Sequence, residues 1–529
     1  MLNNGERFRC HFSMIFERTI TLFILFVFWI FQSFLDEDSI NDTMKMIKQL
    51  KSGNIRDNDV FFGAIVGLGI VLVVSIIILV FNWISWAKTY ITVVDNTLIW
   101  EKNTINKKKK TIAVQNISNI NTEQNIFEMI MGTCKVKLDT NSKSTSDTTD
   151  FKIVLKKKKA EEFKKMIMGL MRDVEVANLE KISSNIEGLE EKNVAINRQA
   201  IDEKYEMFDE NGDYDVTTTM KDMIYHGIYS INIFSFIISI VALVISVGGI
   251  RFAISNGGFG SGLLTSFMSI AVTVVVCIST FWSIVQGFLK YYGFRVKRHG
   301  DKIYMQYGFF KKINYTIPVD KINSVLIKQS AIARFYKRYT VDIVNIGMGD
   351  ENAEEDTCLL IYGDAFTIQN NMKKILPEFT MESGLNYEPQ PKKCIWKKIS
   401  DVVFLSLAIM IVAVIAYYFN KTVSAVTMGI AGLVLAIYIP RAIISIKSEG
   451  ITLENDHLKV VTGIIGRTFQ WVEYKKIQYI EYDQNIIMKR MKFTDATIHI
   501  LASSTESQLN LPYMKDESGE KLRRKVLGE

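Results

Sequence analysis

Apolar and polar positions alternate along this chain on two scales. On the coarse scale, six long apolar stretches come in pairs: residues 20–35 and 60–87, then 228–250 and 263–289, then 402–419 and 422–440. About 20 helical residues cross a bilayer's hydrocarbon core, so each stretch reads as a span and each pair as a helical hairpin. On the fine scale, the polar segment after each hairpin holds short alternating runs rich in β-branched and aromatic residues, which predict strands. A two-helix-plus-domain unit therefore repeats three times. The boundaries that follow are an N-terminal segment with the first hairpin (1–87), a domain (88–175), an acidic spacer (176–227), the second hairpin (228–289), a domain (290–380), a linker (381–401), the third hairpin (402–440) and a last domain (441–529).

The repeat is tested by laying its segments on one another. TIAVQNISNINTEQN (111–125), TIPVDKINSVLIKQS (316–330) and QWVEYKKIQYIEYDQN (470–485) align on Ile117, Ile322 and Ile477. In that frame Ile112, Ile317 and Val472 coincide, as do Ile120, Val325 and Ile480, and Gln124, Gln329 and Gln484. Upstream, Asn103, Gly308 and Gly463 share a column of residue types that tolerate positive φ, which predicts a hairpin turn. Lys107, Lys312 and Arg467 place a cation just after each turn. Each unit is expected to close with an amphipathic helix, carried by Phe163, Met166, Ile167, Leu170 and Met171 in the first and Phe366, Met372, Ile375 and Leu376 in the second. Leu522, Val526 and Leu527 are the counterparts near the terminus. Hairpin strands followed by one such helix fit a small barrel or sandwich plugged by that helix.

With 48% hydrophobic and 22% charged residues over 529 positions, composition excludes an all-soluble enzyme, a secreted disulfide scaffold and a disordered tail. Five scattered cysteines without a CxxC pair suggest neither a disulfide framework nor a zinc site. The net charge of +7 is modest, but it is polarised. Lys88, Lys107–Lys110, Lys290, Arg295, Lys297, Arg298, Lys397, Lys398 and Arg441 flank the spans on the domain side, whereas the loops inside the hairpins hold few cations. The positive-inside rule then puts both termini and all three domains on the cytosolic face of a multi-pass protein.

Paired spans, a β-rich segment, the turn, the cation, the I-x-x-I/V step and the following Gln together resemble the YdbS/YdbT-type family of bacterial membrane proteins with pleckstrin-homology-like (PH-like) domains. Three hairpins with three domains look like its longer YdbT-type members, over most of the chain. The resemblance implies six transmembrane helices in three hairpins, each followed by a seven-stranded PH-like barrel capped by a C-terminal helix, in the bacterial cytoplasmic membrane. It further implies a shorter single-domain relative as partner and a role in envelope stress or resistance to membrane-active peptides. Two departures stand out: the stretch from about 176 to 222, and Asn103 where the other repeats have Gly.

Candidate chemistry is sparse. Lys107, Lys108, Lys109 and Lys110 form the sharpest charge feature, beside a second run at Lys156–Lys159. Each Lys near an anionic leaflet contributes ~1 kcal/mol, so these residues with Lys312 and Arg467 are candidate lipid-headgroup contacts. The plain alternative is a set of solvated strand ends and edge-protecting cations. Asn103, Gly308, Gly463, Gln124, Gln329 and Gln484 read as repeated structural positions. Gly63 with Gly67, and Ala425 with Gly429, suit close helix packing within the chain or between copies. DENGDYDVTTTM (209–220) starts like a calcium loop but has Tyr214 and Met220 where Gly and Glu belong. Five isolated histidines and the lack of HExxH, GxSxG or Walker patterns leave no catalytic, cofactor or metal constellation. The runs lack interleaved aromatics, so nucleic acid is not an expected partner. The reading is a non-enzymatic scaffold or sensor that binds anionic inner-leaflet lipid, proteins or further copies of itself. The alternative is a lipid or amphiphile transporter gated by the domains.

Overall fold

The computed structural model describes residues 5–17, 59–104, 106–140, 151–185, 212–231, 284–345, 358–379, 384–500 and 508–528, with isolated positions between them. The first predicted span and most of the second hairpin lie outside the described residues, as do the side chains of Gly63 and Gly67. The chain divides into two compact units, one holding the first repeat and the other the second and third.

In the first unit, β1 (Arg7–Phe8), β2 (Thr89–Val94), β3 (Thr97–Asn103) and β4 (Lys107–Ala113) form an antiparallel sheet in that order. Helix α1 (Asp59–Ala87) leads into β2. The β2–β3 turn is a two-residue one, with Asp95 and Asn96 at φ +48° and +57°. A meander of β5 (Ile117–Asn125), β6 (Thr133–Thr140) and β7 (Phe151–Lys156) follows, with the short α2 (Ile126–Met131) between β5 and β6. Helix α3 (Lys157–Asn185) closes the unit. Its Phe163 and Ile167 are fully buried against Ile91, Leu98, Val136, Leu138 and Ile153, with Met166, Leu170 and Met171 at the margin of that core. The apolar stripe read from the sequence is this buried face.

The second unit repeats the plan. β8 (Val216–Thr217), β9 (Arg295–His299), β10 (Lys302–Tyr307) and β11 (Lys311–Pro318) lie side by side, then β12 (Ile322–Gln329), β13 (Arg338–Asn345) and β14 (Cys358–Asp364). Its helices are α4 (Met220–Tyr229), α5 (Ala331–Phe335) and the closing α6 (Ala365–Ile375). The third repeat has β15 (Glu388–Pro389), the helices α7 (Cys394–Phe419) and α8 (Lys421–Ser448), and then β16 (Gly450–Leu453), β17 (His457–Thr462) and β18 (Arg467–Glu473). β19 (Ile477–Asp483), the short α9 (Ile486–Met491), β20 (Phe493–Ile500), β21 (Gln508–Asn510), β22 (Met514–Lys515) and α10 (Asp516–Leu527) complete it.

Each repeat therefore begins before its hairpin. β1, β8 and β15 pair with β2, β9 and β16 although the predicted spans intervene in sequence. Val216, Thr217 and α4 as far as residue 227, which the sequence reading gives to the spacer, belong structurally to the second repeat; Tyr214 Oη donates to Gln306 Oε1 at 3.1 Å in the same stretch. A two-residue strand has no alternation to read, which is why these edges escape a periodicity argument.

The second and third repeats are not separate barrels. β12 pairs with β18 along its length, from Ser324↔Val472 to Gln329↔Arg467, making one seven-stranded sheet in the order β14-β13-β12-β18-β17-β16-β15. Successive side chains on a strand point to opposite faces. Val325 and Ile327 accordingly join Phe469, Trp471 and Val461 in the second repeat's core, while Leu326 joins Leu458, Val460 and Val472 in the third's. Gln470 Nε2 donates to Ser324 Oγ at 2.9 Å across the seam. The closing helix α6 buries Ile368, Met372 and Ile375, with Leu376 just beyond it. Phe366, predicted for that stripe, is exposed instead: Asp364 caps the helix, the first turn faces outward and Ile368 takes the core position. In α10, Leu522 is buried and Val526 lies at the margin, but Leu527 is exposed.

α7 and α8 are long and apolar enough to cross a membrane. Asn420 turns the chain between them, its Oδ1 accepting from the Thr422 and Val423 amides. Ser406, Ala413, Ser424 and Ala431 are buried and Ser424 Oγ donates to the Ala413 carbonyl at 2.9 Å, so small residues line the contact. Ala425 and Gly429, predicted for such packing, are exposed and do not line it, and no atom beyond its own helix lies within 4 Å of a Cβ built on Gly429.

Candidate functional site

The tips of two cationic hairpins are stapled to the residues that follow a predicted span. In the first repeat, the Asn103 amide donates to the Lys88 carbonyl at 2.9 Å, and Lys88 continues α1 through its own amide to the Ile84 carbonyl. In the second, the Gly308 and Phe309 amides donate to the Tyr292 and Leu289 carbonyls at 2.8 and 3.0 Å, and the rings of Tyr292 and Phe309 meet at 5.1 Å. Lys107–Lys110 occupy the first hairpin's return strand, and Lys311 and Lys312 the second's; all six are exposed. Four consecutive lysines on one strand point alternately to both faces, so the strand end has no apolar side to bury. Lys109 and Arg7 each reach Glu101 at 3.1 Å, which ties part of this charge to the sheet.

The third aligned cation is turned elsewhere. Arg467 is half-buried at the seam opposite Gln329, its guanidinium over the rings of Tyr387 and Phe469 at 5.4 and 5.9 Å. The tip of that hairpin is held by Arg334 of α5, which donates to the Ile464 and Ile465 carbonyls at 2.7 and 3.3 Å. Nearby Arg467 and burial both push the Arg334 guanidinium below its ordinary value, burial more. Asn103 also departs from its column. It is the last paired residue of β3, opposite Lys107, and is not at positive φ, whereas Gly308 and Gly463 sit at φ +109° and +101°. Asn carries a Cβ, so the first repeat extends its ladder by one pair where glycine lets the others break away.

The three glutamines make one contact in three places. Gln124, Gln329 and Gln484 donate through Nε2 to the carbonyls of Thr133, Arg338 and Phe493 at 2.7, 3.1 and 3.1 Å. Each bond spans the short helix between two strands, and the next residue caps that helix: Asn125, Ser330 and Asn485 accept from the amides of Glu128, Ala333 and Met488. The Gln column is legible in the sequence; the capping column beside it is the signal that reading missed.

A buried aromatic group underlies the second hairpin. His226 of α4 packs on the rings of Tyr291 and Tyr362 at 4.6 and 5.2 Å, and its Nδ1 accepts from the Tyr362 amide at 3.3 Å. Burial, helped by Lys290, pushes its pKa down to about 4, so the ring is neutral near pH 7. The unfolded chain takes up that proton first, so the stabilisation is complete above ~6.5 and is lost as pH falls through ~6.5 to 4. The expected loss is about 3 kcal/mol, and His226→Gln removes this pH dependence. Hydrogen exchange of β14 in the full chain at pH 7 and 4.5 checks it. Among the described residues no group of His, Cys, Asp and Glu is arranged to hold a metal ion.

Repeated antiparallel β-domains, each closed by a helix, together with two long apolar helices define the class of protein. The chain belongs to the bacterial PH domain family, whose model matches residues 57–171, 234–368 and 401–529. It is also similar to the UPF0699 transmembrane protein YdbT of Bacillus subtilis (strain 168), at 22% identity over 251 residues, 47% of this chain and 49% of that protein. The match thus spans about half the length of the relative. No solved structure matches the chain. These findings bear out the resemblance read from the aligned columns.

Proposed function

We propose that this protein is a non-enzymatic multi-pass scaffold or sensor of the cytoplasmic membrane, whose PH-like domains face the cytosol and read anionic lipid headgroups. Six spans in three hairpins carry the domains in this reading. The observation that supports it most is the backbone stapling of the Lys107–Lys110 and Lys311–Lys312 hairpins to the exits of predicted spans at Lys88 and Leu289. A lysine fixed at a span exit lies within a Debye length of the headgroups, where screening is least complete. Binding of a shorter relative, self-association and a role in envelope stress or resistance to membrane-active peptides remain part of the proposal, carried by the family resemblance.

The arrangement separates the three aligned cations. Hydrogen exchange of the full chain in vesicles is expected to slow at 103–113 and 308–313 when anionic lipid replaces zwitterionic lipid, and to stay unchanged at 463–468, where Arg467 faces the seam. Equal exchange in both lipids at all three tips would remove the headgroup reading.

A further inference from the structure

The short helices α2, α5 and α9 occupy the same place in each repeat, and each presents large apolar side chains to the outside. Ile130 is 77% exposed, Phe335 81% and Ile486 87%, with Ile126, Tyr336 and Ile487 exposed beside them. Helices this short normally bury such residues; instead the glutamine bond and the Asn or Ser cap hold each tip rigid with its apolar side outward.

What covers these tips is indicated by what they are fastened to. In the first repeat, Asn125 Nδ2 donates to Glu17 Oε1 at 3.4 Å and Lys135 pairs with the same carboxylate at 2.6 Å, three residues before the first predicted span. In the second, Ser330 Oγ donates to the carbonyl of Tyr229, where the third predicted span begins, and the rings of Tyr229 and Tyr336 lie 5.9 Å apart. In the third, Met488 packs with Cys394, the first residue of α7, two residues before the exposed Trp396. An exposed Trp followed by Lys397 and Lys398 at the head of an apolar helix marks the headgroup level.

Charge beside the tips points the same way. Lys337 follows α5, and Lys489, Arg490 and Lys492 lie in or just after α9. In the first repeat the Lys157 amide donates to the Gly132 carbonyl at the end of α2, which brings the Lys156–Lys159 run to that tip. Lys157, Lys158 and Lys159 open α3, whose first turn has no acidic residue. Cations there oppose the helix dipole, so isolated helix energetics disfavours the arrangement and an anionic surface compensates it.

We propose that α2, α5 and α9 are interfacial anchors that insert Ile126 and Ile130, Phe335 and Tyr336, and Ile486 and Ile487 into the headgroup–acyl boundary of the leaflet their spans leave. The occupant of these apolar tips is the lipid surface, and the anchors hold each domain in a fixed orientation on the bilayer. The inference rests on the membrane-spanning reading but not on headgroup charge, because apolar insertion persists in zwitterionic lipid.

The test uses the unmodified full chain in vesicles doped with a lipid carrying a photoactivated carbene precursor near the glycerol end of its acyl chain. Adducts are mapped by mass spectrometry in zwitterionic and in anionic vesicles. Adducts on Ile126–Met131, Ala331–Phe335 and Ile486–Met491 should exceed those on the exposed face of α10 several-fold in both lipids, and Phe335→Ser should lower the yield at its own tip alone. Adducts confined to the spans, with all three tips as unlabelled as α10, would overturn the proposal, including the case in which a protein covers them. If the tips label while hydrogen exchange at the cationic hairpins ignores anionic lipid, the anchors stand and headgroup reading falls.

Discussion

Trp471→Ala is expected to open the core of the second repeat, although Trp471 belongs to the third. The side chain is buried in a cluster whose other members include Ile303, Met305, Val341 and Cys358, and it stacks on Phe469 with ring centroids 6.3 Å apart. Truncating a buried Trp or Phe to Ala costs ~3–5 kcal/mol, a transfer loss plus an unfilled cavity. Cys358 reports the result: it is buried in the same core, so its thiol should become markedly more reactive in the variant while Cys134, in the first repeat's core, keeps its protection. If the repeats were separate barrels, Cys358 would remain protected and only residues after 441 would loosen.

Gly308→Val should be as damaging, for a backbone reason. At φ +109° a Cβ on this residue would lie 1.8 Å from the Lys311 carbonyl oxygen and 2.8 Å from its carbon. Neither atom can withdraw without breaking the hairpin, and positive φ is itself strained for a β-branched side chain. Strain and overpacking of about 1–3 kcal/mol each add to roughly 4 kcal/mol, and the staple from the Gly308 amide to Tyr292 is lost with the turn. Asn103→Gly, at the aligned but paired position, is expected to change stability by less than about 1 kcal/mol. Thermal unfolding of the two variants in the same detergent separates them; equal effects would mean that the two turns share one geometry.

Much of the fold was legible in the aligned columns. Ile117, Ile322 and Ile477 are each the buried first residue of a strand, and the glutamines make the same bond three times. Two features were not. The leading strands are too short to show alternation, and Pro389 ends one of them. The shared sheet left a trace in VLI at 325–327, where three successive apolar residues serve two cores. Continuous apolar runs mark strands buried on both faces, and that sign points to a partner sheet. For the candidate site, charge identified Lys107 and Lys312 but not the staples of their hairpins, because backbone bonds to Lys88 and Leu289 depend on the path the chain takes after the preceding apolar segment. The exposed tips of α2, α5 and α9 leave no sequence signal, because helices this short have no periodicity to show which way Ile130, Phe335 and Ile486 face.

The measurement that tests headgroup reading most directly is lipid selectivity of the full chain, reconstituted with spin-labelled anionic or zwitterionic lipid, for the native sequence and for a variant with Lys107–Lys110 changed to Gln. At ~1 kcal/mol per lysine near the surface, the native chain should immobilise anionic lipid preferentially at low salt, and both the variant and high salt should erase most of that preference. Equal immobilisation of the two lipids by the native chain, or an anionic preference that the variant keeps in full, would contradict it.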